Sequence, residues 1–96
     1  MRIILMKLTD QGMKSIKEAP ERIQAGIKGY EAMGGKLLAF YILMGSEYDY
    51  LAIGDGLDDN GALAFSLALG SLGNVRTTSV AAFTPEQFAA IVKKLP

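Results

Sequence analysis

The stretch Arg2-Ile3-Ile4-Leu5-Met6-Lys7-Leu8-Thr9 is apolar on both of its alternating faces. In an extended chain, successive side chains point to opposite sides, so Ile4, Met6 and Leu8 share one face and Ile3 and Leu5 the other. A strand with one face on a core and one in water would alternate more cleanly. The run KLLAFYILM, Lys36 to Met44, has the same character and adds the aromatic residues that favour strands. Strands of this kind need cover on both sides, and that need limits what the rest of the chain can build.

The segments between them read as helices. From Thr9 to Gly35 the pattern is helical with a break: Thr9 or Asp10 caps the start, and a first turn or two ends near Ala19. Pro20 then serves as an early residue of the main helix, where its missing N–H has no partner to lose. Ile23, Ile27, Tyr30 and Met33 recur at helical spacing, and Gly34-Gly35 supplies the left-handed stop. Gly45-Ser46-Glu47 turns the second strand into a third, YDYLAIGDG, with Leu51 and Ile53 on one face and Tyr48, Tyr50 and Ala52 on the other. Asp58 or Asp59 caps the next helix, whose expected apolar stripe is Leu63, Leu67, Ala68 and Leu72. A β-branched strand follows in NVRTTSVAAF. A last helix starts at Thr84-Pro85, with Phe88, Ile91, Val92 and Leu95 on one side.

The order is β-α-β-β-α-β with an extra C-terminal helix, in one α+β domain over residues 1–96. It predicts a ferredoxin-like four-stranded antiparallel sheet with two helices on one face. The other face is left bare, and the simplest cover for it is a second copy, sheet against sheet. Composition points the same way. Half of the 96 residues are hydrophobic and 21% are charged, more apolar material than a small domain hides alone. The excess implies a ligand cavity or a subunit interface.

Other classes of function recede. Ten basic and ten acidic residues cancel, so no basic surplus serves a phosphate backbone. The chain has no Cys and no His, which removes thiolate chemistry, disulfides, the usual neutral-pH base and the commonest zinc ligands. Asp58-Asp59-Asn60-Gly61 lacks the spacing of a calcium loop, and Gly54, Gly56 and Gly61 form no phosphate-binding pattern. No cofactor is expected. The first apolar run lacks the form of a secretory signal and no segment approaches a spanning helix, so the expected location is cytoplasmic, with no membrane or nucleic-acid partner.

The blocks KLTDQGMKSIKEAPER, FYILMGSEYD, GNVRTTSVAAF and the closing KLP, in this order with Gly34-Gly35 and Asp58-Asp59, resemble the GYD-domain family of small bacterial and archaeal proteins. The resemblance spans nearly the whole chain. It implies ferredoxin-like subunits that pair through their sheets as dimeric α/β barrels, and it implies no assigned activity. The family's Gly-any-Tyr-Asp signature is here Gly45-Ser46-Glu47-Tyr48-Asp49, one residue longer, so the turn must be longer or bulged. Leu57 stands where the family often has proline.

Five polar residues set among apolar strands are the candidate site: Lys7, Tyr41, Tyr48, Asp49 and Arg76. Lys7 interrupts an apolar strand and needs a carboxylate such as Asp55 or Asp49, or else a route to solvent. Arg76 suits a bidentate carboxylate contact within the chain, with a second subunit, or with an anionic ligand. Asp49 reads as a turn-stabilising carboxylate, with ligand contact as the alternative. It lies six residues from Asp55, roughly 20 Å along a strand, too far for the two to share one reacting group. Tyr41 and Tyr48, with Phe40 and Tyr50, line either a mixed pocket or an interface. The functional expectation is a homodimer or higher oligomer that binds a small, partly apolar molecule between sheet and helices or between two sheets. The alternatives are a cofactor-free isomerase or oxygenase, by fold analogy alone, and a purely structural or regulatory oligomer.

Overall fold

In the computed structural model, which describes residues Met1–Pro96, strand β1 (Arg2–Leu8) is held between two antiparallel partners. β3 (Tyr50–Asp55) lies on one side, with Met6 opposite Tyr50, and β4 (Val75–Ala81) on the other, with Lys7 opposite Arg76. β2 (Lys36–Ile42) adds to β3, with a bulge between Leu37 and Ala39. The sheet order β2-β3-β1-β4 is the expected ferredoxin-like one. The sheet is open and does not close into a barrel within one chain.

The helices start and stop where the local chemistry demands. Thr9 caps α1 (Asp10–Lys14) by accepting from the Gly12 amide at 3.1 Å. A 3₁₀ turn at Ile16–Glu18 carries the break, and Pro20 sits in the first turn of α2 (Ala19–Ala32). Gly34 ends α2 at φ +96°, a conformation that disfavours other residues. Asp58 caps α3 (Asp59–Ser71) through the Gly61 amide at 2.8 Å. Thr84 and Gln87 close a reciprocal capping box at the start of α4 (Pro85–Val92).

Register assigns the two sheet faces. Ile4 and Met6 of β1 and Tyr50 and Ala52 of β3 are buried beneath the helices, where they join Tyr30 of α2 and Phe65 of α3 in the core. Ile3, Leu5, Leu51, Ile53 and Val80 lie on the opposite face, which no element of the chain covers. That face is apolar at its centre, as the doubly apolar strand sequences require.

Two expectations are corrected. The hairpin between β2 and β3 is not a three-residue turn. β2 ends at Ile42 and β3 begins at Tyr50, so seven residues connect them. The cause is Asp49, whose N–H donates to Met6 O of β1 while its own carbonyl accepts from Leu43 N, both at 2.8 Å. Asp49 is thus held by β1 and by the end of β2 together, and residues 44–48 form the loop beyond it.

In α3 the buried residues are Ala62 and Phe65, while Leu63 and Leu67 are 61% and 64% exposed. This helix is apolar almost all round, so its periodicity marks no single face. Phe65 settles the orientation. Its ring meets Tyr30 edge to face, with centroids 5.0 Å apart and planes at 72°. Leu63 is two positions away, close to the far side of the helix.

Candidate functional site

α2 and α3 cover the sheet without closing over it. Between them lies a cavity of about 510 Å³. Its floor includes Ile4, Met6, Tyr50 and Ala52, one wall carries Ile23, Ile27 and Met33 of α2, and the other carries Phe65, Leu69 and Leu72 of α3. Ten of the 96 residues are buried, so the helix layer stands off the sheet instead of packing down on it. A second depression, at the α1–α2 end of the sheet, is bounded by Ile16, Pro20, Ile23, Phe40, Asp49 and Tyr50.

Few polar groups reach the main cavity, and most are already engaged. Arg22 is its one charged residue. The Arg22 guanidinium donates to Ser15 O at 2.9 Å, Ser15 Oγ at 3.1 Å and Gly12 O at 3.3 Å, stitching α2 to the first helical turn. Tyr30 donates to Asp55 O at 3.1 Å. Tyr50 lines both cavities and tilts against Phe40, ring centroids 5.6 Å apart.

Both phenols are held above their ordinary pKa. For Tyr30 the main cause is removal from water, reinforced by the Asp55 carboxylate and opposed by Arg2. For Tyr50 it is again removal from water, opposed by Arg22 and reinforced by Asp49. The cavity thus presents neutral phenols and a committed guanidinium, a surface suited to an uncharged guest.

The five candidate residues from the sequence do not converge. Lys7 and Arg76 are paired across β1 and β4 and both are exposed; Lys7 is on the uncovered sheet face, whereas the Arg76 guanidinium turns round the β4 edge, with Nη1 beside Gly70 of α3. Neither forms an ion pair within the chain, whose two salt bridges are Arg2–Asp59 at 2.7 Å and the N-terminal amine with Asp55 at 3.5 Å. Asp55 is therefore committed at the far end of β1 from Lys7. Tyr41 is on the same face, opposite Leu51, at the other sheet edge. Tyr48 is in the hairpin loop, where its N–H donates to Ser46 Oγ at 3.0 Å. Asp49 accepts from the Leu8 amide at 2.8 Å and borders the second depression. The turn-stabilising side chain within the hairpin is Ser46, and Asp49 instead ties the hairpin to β1.

Of the residues that shape the main cavity, Tyr30 falls on the apolar stripe expected of α2, Arg22 reads as one of its polar positions, and Phe65 lies outside the stripe expected of α3. Their apolar 3.6-residue spacing looks the same whether a helix presses on a sheet or stands away from it. One signal was available. The TDQG and GNVRT blocks, at opposite ends of the chain, form a single junction beside the cavity. Thr9 N donates to Asn74 O at 3.0 Å, and Gln11 Nε2 donates to Leu72 O at 3.1 Å and to Asn74 Oδ1 at 3.2 Å. Gly12 abuts Asn74 O so closely that a Cβ there would overlap the carbonyl. Asn74 itself lines the cavity.

No helix is long and apolar enough to cross a membrane. No curated protein matches the chain. The profile of the GYD domain matches residues 3–92, from the first strand through the last helix. With the sheet order and the junction of its two terminal motifs, this match establishes that the chain belongs to the GYD domain family.

Proposed function

We propose that this protein is a small binding domain whose ligand is an uncharged, largely apolar molecule held between the sheet and helices α2 and α3, on a chain that self-associates through its bare sheet face. The observation that carries the ligand reading is the apolar cavity of about 510 Å³, a volume in the range of small-molecule sites. The guest's apolar body would lie over Ile4, Met6 and Phe65. A single hydroxyl or carbonyl would meet the Tyr50 phenol near Arg22. A charged guest is disfavoured because the one charged side chain at the cavity, Arg22, already donates three hydrogen bonds to backbone and serine oxygens.

What supports binding over catalysis is the placement of the carboxylates. None lines the main cavity. Asp58 caps a helix, Asp59 and Asp55 are in ion pairs, and Asp49 holds a backbone amide. Lys7 and Tyr41 on the uncovered face, with Arg76 at the β4 edge, belong to the self-association part of the proposal, where a partner's carboxylate or an anionic ligand would neutralise Lys7 or Arg76. Asp49 borders the second depression, and Tyr48 precedes it in the hairpin loop.

The test is titration with N-phenyl-1-naphthylamine, a neutral apolar fluorophore, on the wild type and on Ala68→Trp. Ala68 lines the cavity from α3 and is solvent-exposed, so the larger ring enters the groove without disturbing the core. Saturable fluorescence enhancement that weakens about tenfold or more in Ala68→Trp is expected. Absent saturation, or unchanged binding in the variant, would remove the cavity as the site.

A further inference from the structure

The segment after β4 has no place in the body of the molecule. α4 buries none of its residues, and Phe83, Phe88 and Leu95 are 64%, 64% and 65% exposed. The chain measures 53 Å in its longest direction against 18 Å in its shortest, with a radius of gyration of 14.9 Å. A compact chain of this length has a radius near 12.5 Å, about 2 Å less.

Surface area gives the same result independently. The chain exposes 6695 Å². A compact monomer of 10.3 kDa exposes about 5,400 Å². The surplus of roughly 1,300 Å² exceeds the ~800 Å² that each partner contributes to a standard stable interface. Phe83, Phe88, Ile91, Val92 and Leu95 of the C-terminal segment are among the exposed apolar residues.

The covalent connection limits where α4 can go. Three residues, Ala82 to Thr84, join β4 to α4 and span about 10 Å at most. α3 packs against β4 and is itself about 10 Å thick. The chain's own α2–α3 cavity lies beyond α3, out of reach of so short a link. Two sheets stacked face to face are about 10 Å apart, which is within reach.

We infer that residues 83–95 form an arm that closes on a second copy of this chain, its Phe88–Ile91 face adding to the interface made by the two bare sheet faces. The arrangement is reciprocal. Each copy gives its arm and receives the other's, so the contact closes as a two-fold dimer and does not propagate. This rests on the self-association proposed above and adds that the arm carries a substantial part of its affinity.

The experiment is sedimentation equilibrium of the full-length wild type and of the full-length double variant Phe88→Asp with Ile91→Asp, across micromolar concentrations, with thermal unfolding followed in parallel. α4 makes no buried contact in the body, so the double variant keeps the β1–β4 fold intact. A dimeric wild type and a variant whose dissociation constant rises about tenfold or more support the arm. A dimeric wild type with an equally tight variant overturns the arm and leaves sheet pairing standing. A monomeric wild type overturns both. A wild type and variant that are both monomeric, with the variant melting lower, would place the arm on its own sheet face and also overturn the inference.

Discussion

The Asp49 carboxylate accepts a hydrogen bond from the Leu8 amide at 2.8 Å, although the two residues are 41 positions apart in sequence. Leu8 is the last residue of β1, and beyond Met6 the β3 partner has left the ladder. The amide would otherwise be an unpaired donor at the end of a central strand. The same residue anchors its own backbone on Met6 O. The aspartate of the family signature, Asp49, therefore secures the hairpin to the first strand.

Replacing Asp49 with alanine leaves that amide without its partner. The expected loss is about 1–3 kcal/mol of unfolding free energy, with a smaller loss for Asp49→Asn, which keeps one acceptor oxygen. Urea denaturation of the three proteins measures it. An Asp49→Ala protein as stable as wild type would show that the bond contributes nothing net.

Glycines at two positions predict opposite outcomes. A Cβ on Gly54 would overlap the Tyr30 ring and hydroxyl at the centre of the core. Gly54→Ala should therefore cost about 1–3 kcal/mol through displacement of that ring. Gly29, in the last turn of α2, has nothing near the position of a Cβ. Gly29→Ala should stabilise by about 0.5–1 kcal/mol by lowering the entropy of the unfolded chain. Differential scanning calorimetry of both variants, at the same protein concentration, reads the two signs.

Lys7 and Arg76 share a cross-strand position and neither is in an ion pair, so their like charges repel, weakly because the Arg76 guanidinium turns toward α3. Lys7→Glu converts this pair of like charges to a cross-strand ion pair and should raise the stability of the monomeric chain by about 0.2–1 kcal/mol. The gain should shrink in high salt. Thermal melts at low and high ionic strength distinguish this from a change in packing, which salt would leave in place.

Stability should also fall in alkali. Tyr30 and Tyr50 have pKa values raised by burial. The folded state therefore favours the neutral phenols more than the unfolded chain does. The contribution is fully present below the unfolded value of about 10 and is lost as pH rises through the folded values. Unfolding free energies measured on the two sides of ~pH 10 should decline, and an absorbance titration should place at least two phenolates above the ordinary range. A flat stability profile through that window would contradict the burial argument.

Much of this architecture was legible in residues near one another in sequence. Thr9, Pro20, Gly34, Asp58 and the Thr84–Gln87 pair mark helix ends by local hydrogen bonding and backbone geometry, so each was readable where it stands. The doubly apolar β1 and β2 showed that both sheet faces need cover. Those signals sufficed for the strand order and for one uncovered face.

The site was less legible. Which side of α3 faces inward was decided by Phe65 meeting Tyr30 across the domain, a contact between two helices that no periodicity in a helix apolar all round can reveal. The partner of Asp49 was decided by the end of a strand 41 residues earlier, and the lack of an ion pair for Lys7 and Arg76 by a register that places them across from each other on β1 and β4. The sequence by itself determined the elements, their order and the apolar surplus, because caps, breaks and side-chain alternation act over a few residues. Only the tertiary structure decided that α2 and α3 leave a cavity, that α4 stands free and that Asp49 binds Leu8, because each depends on the distance between elements far apart in the chain.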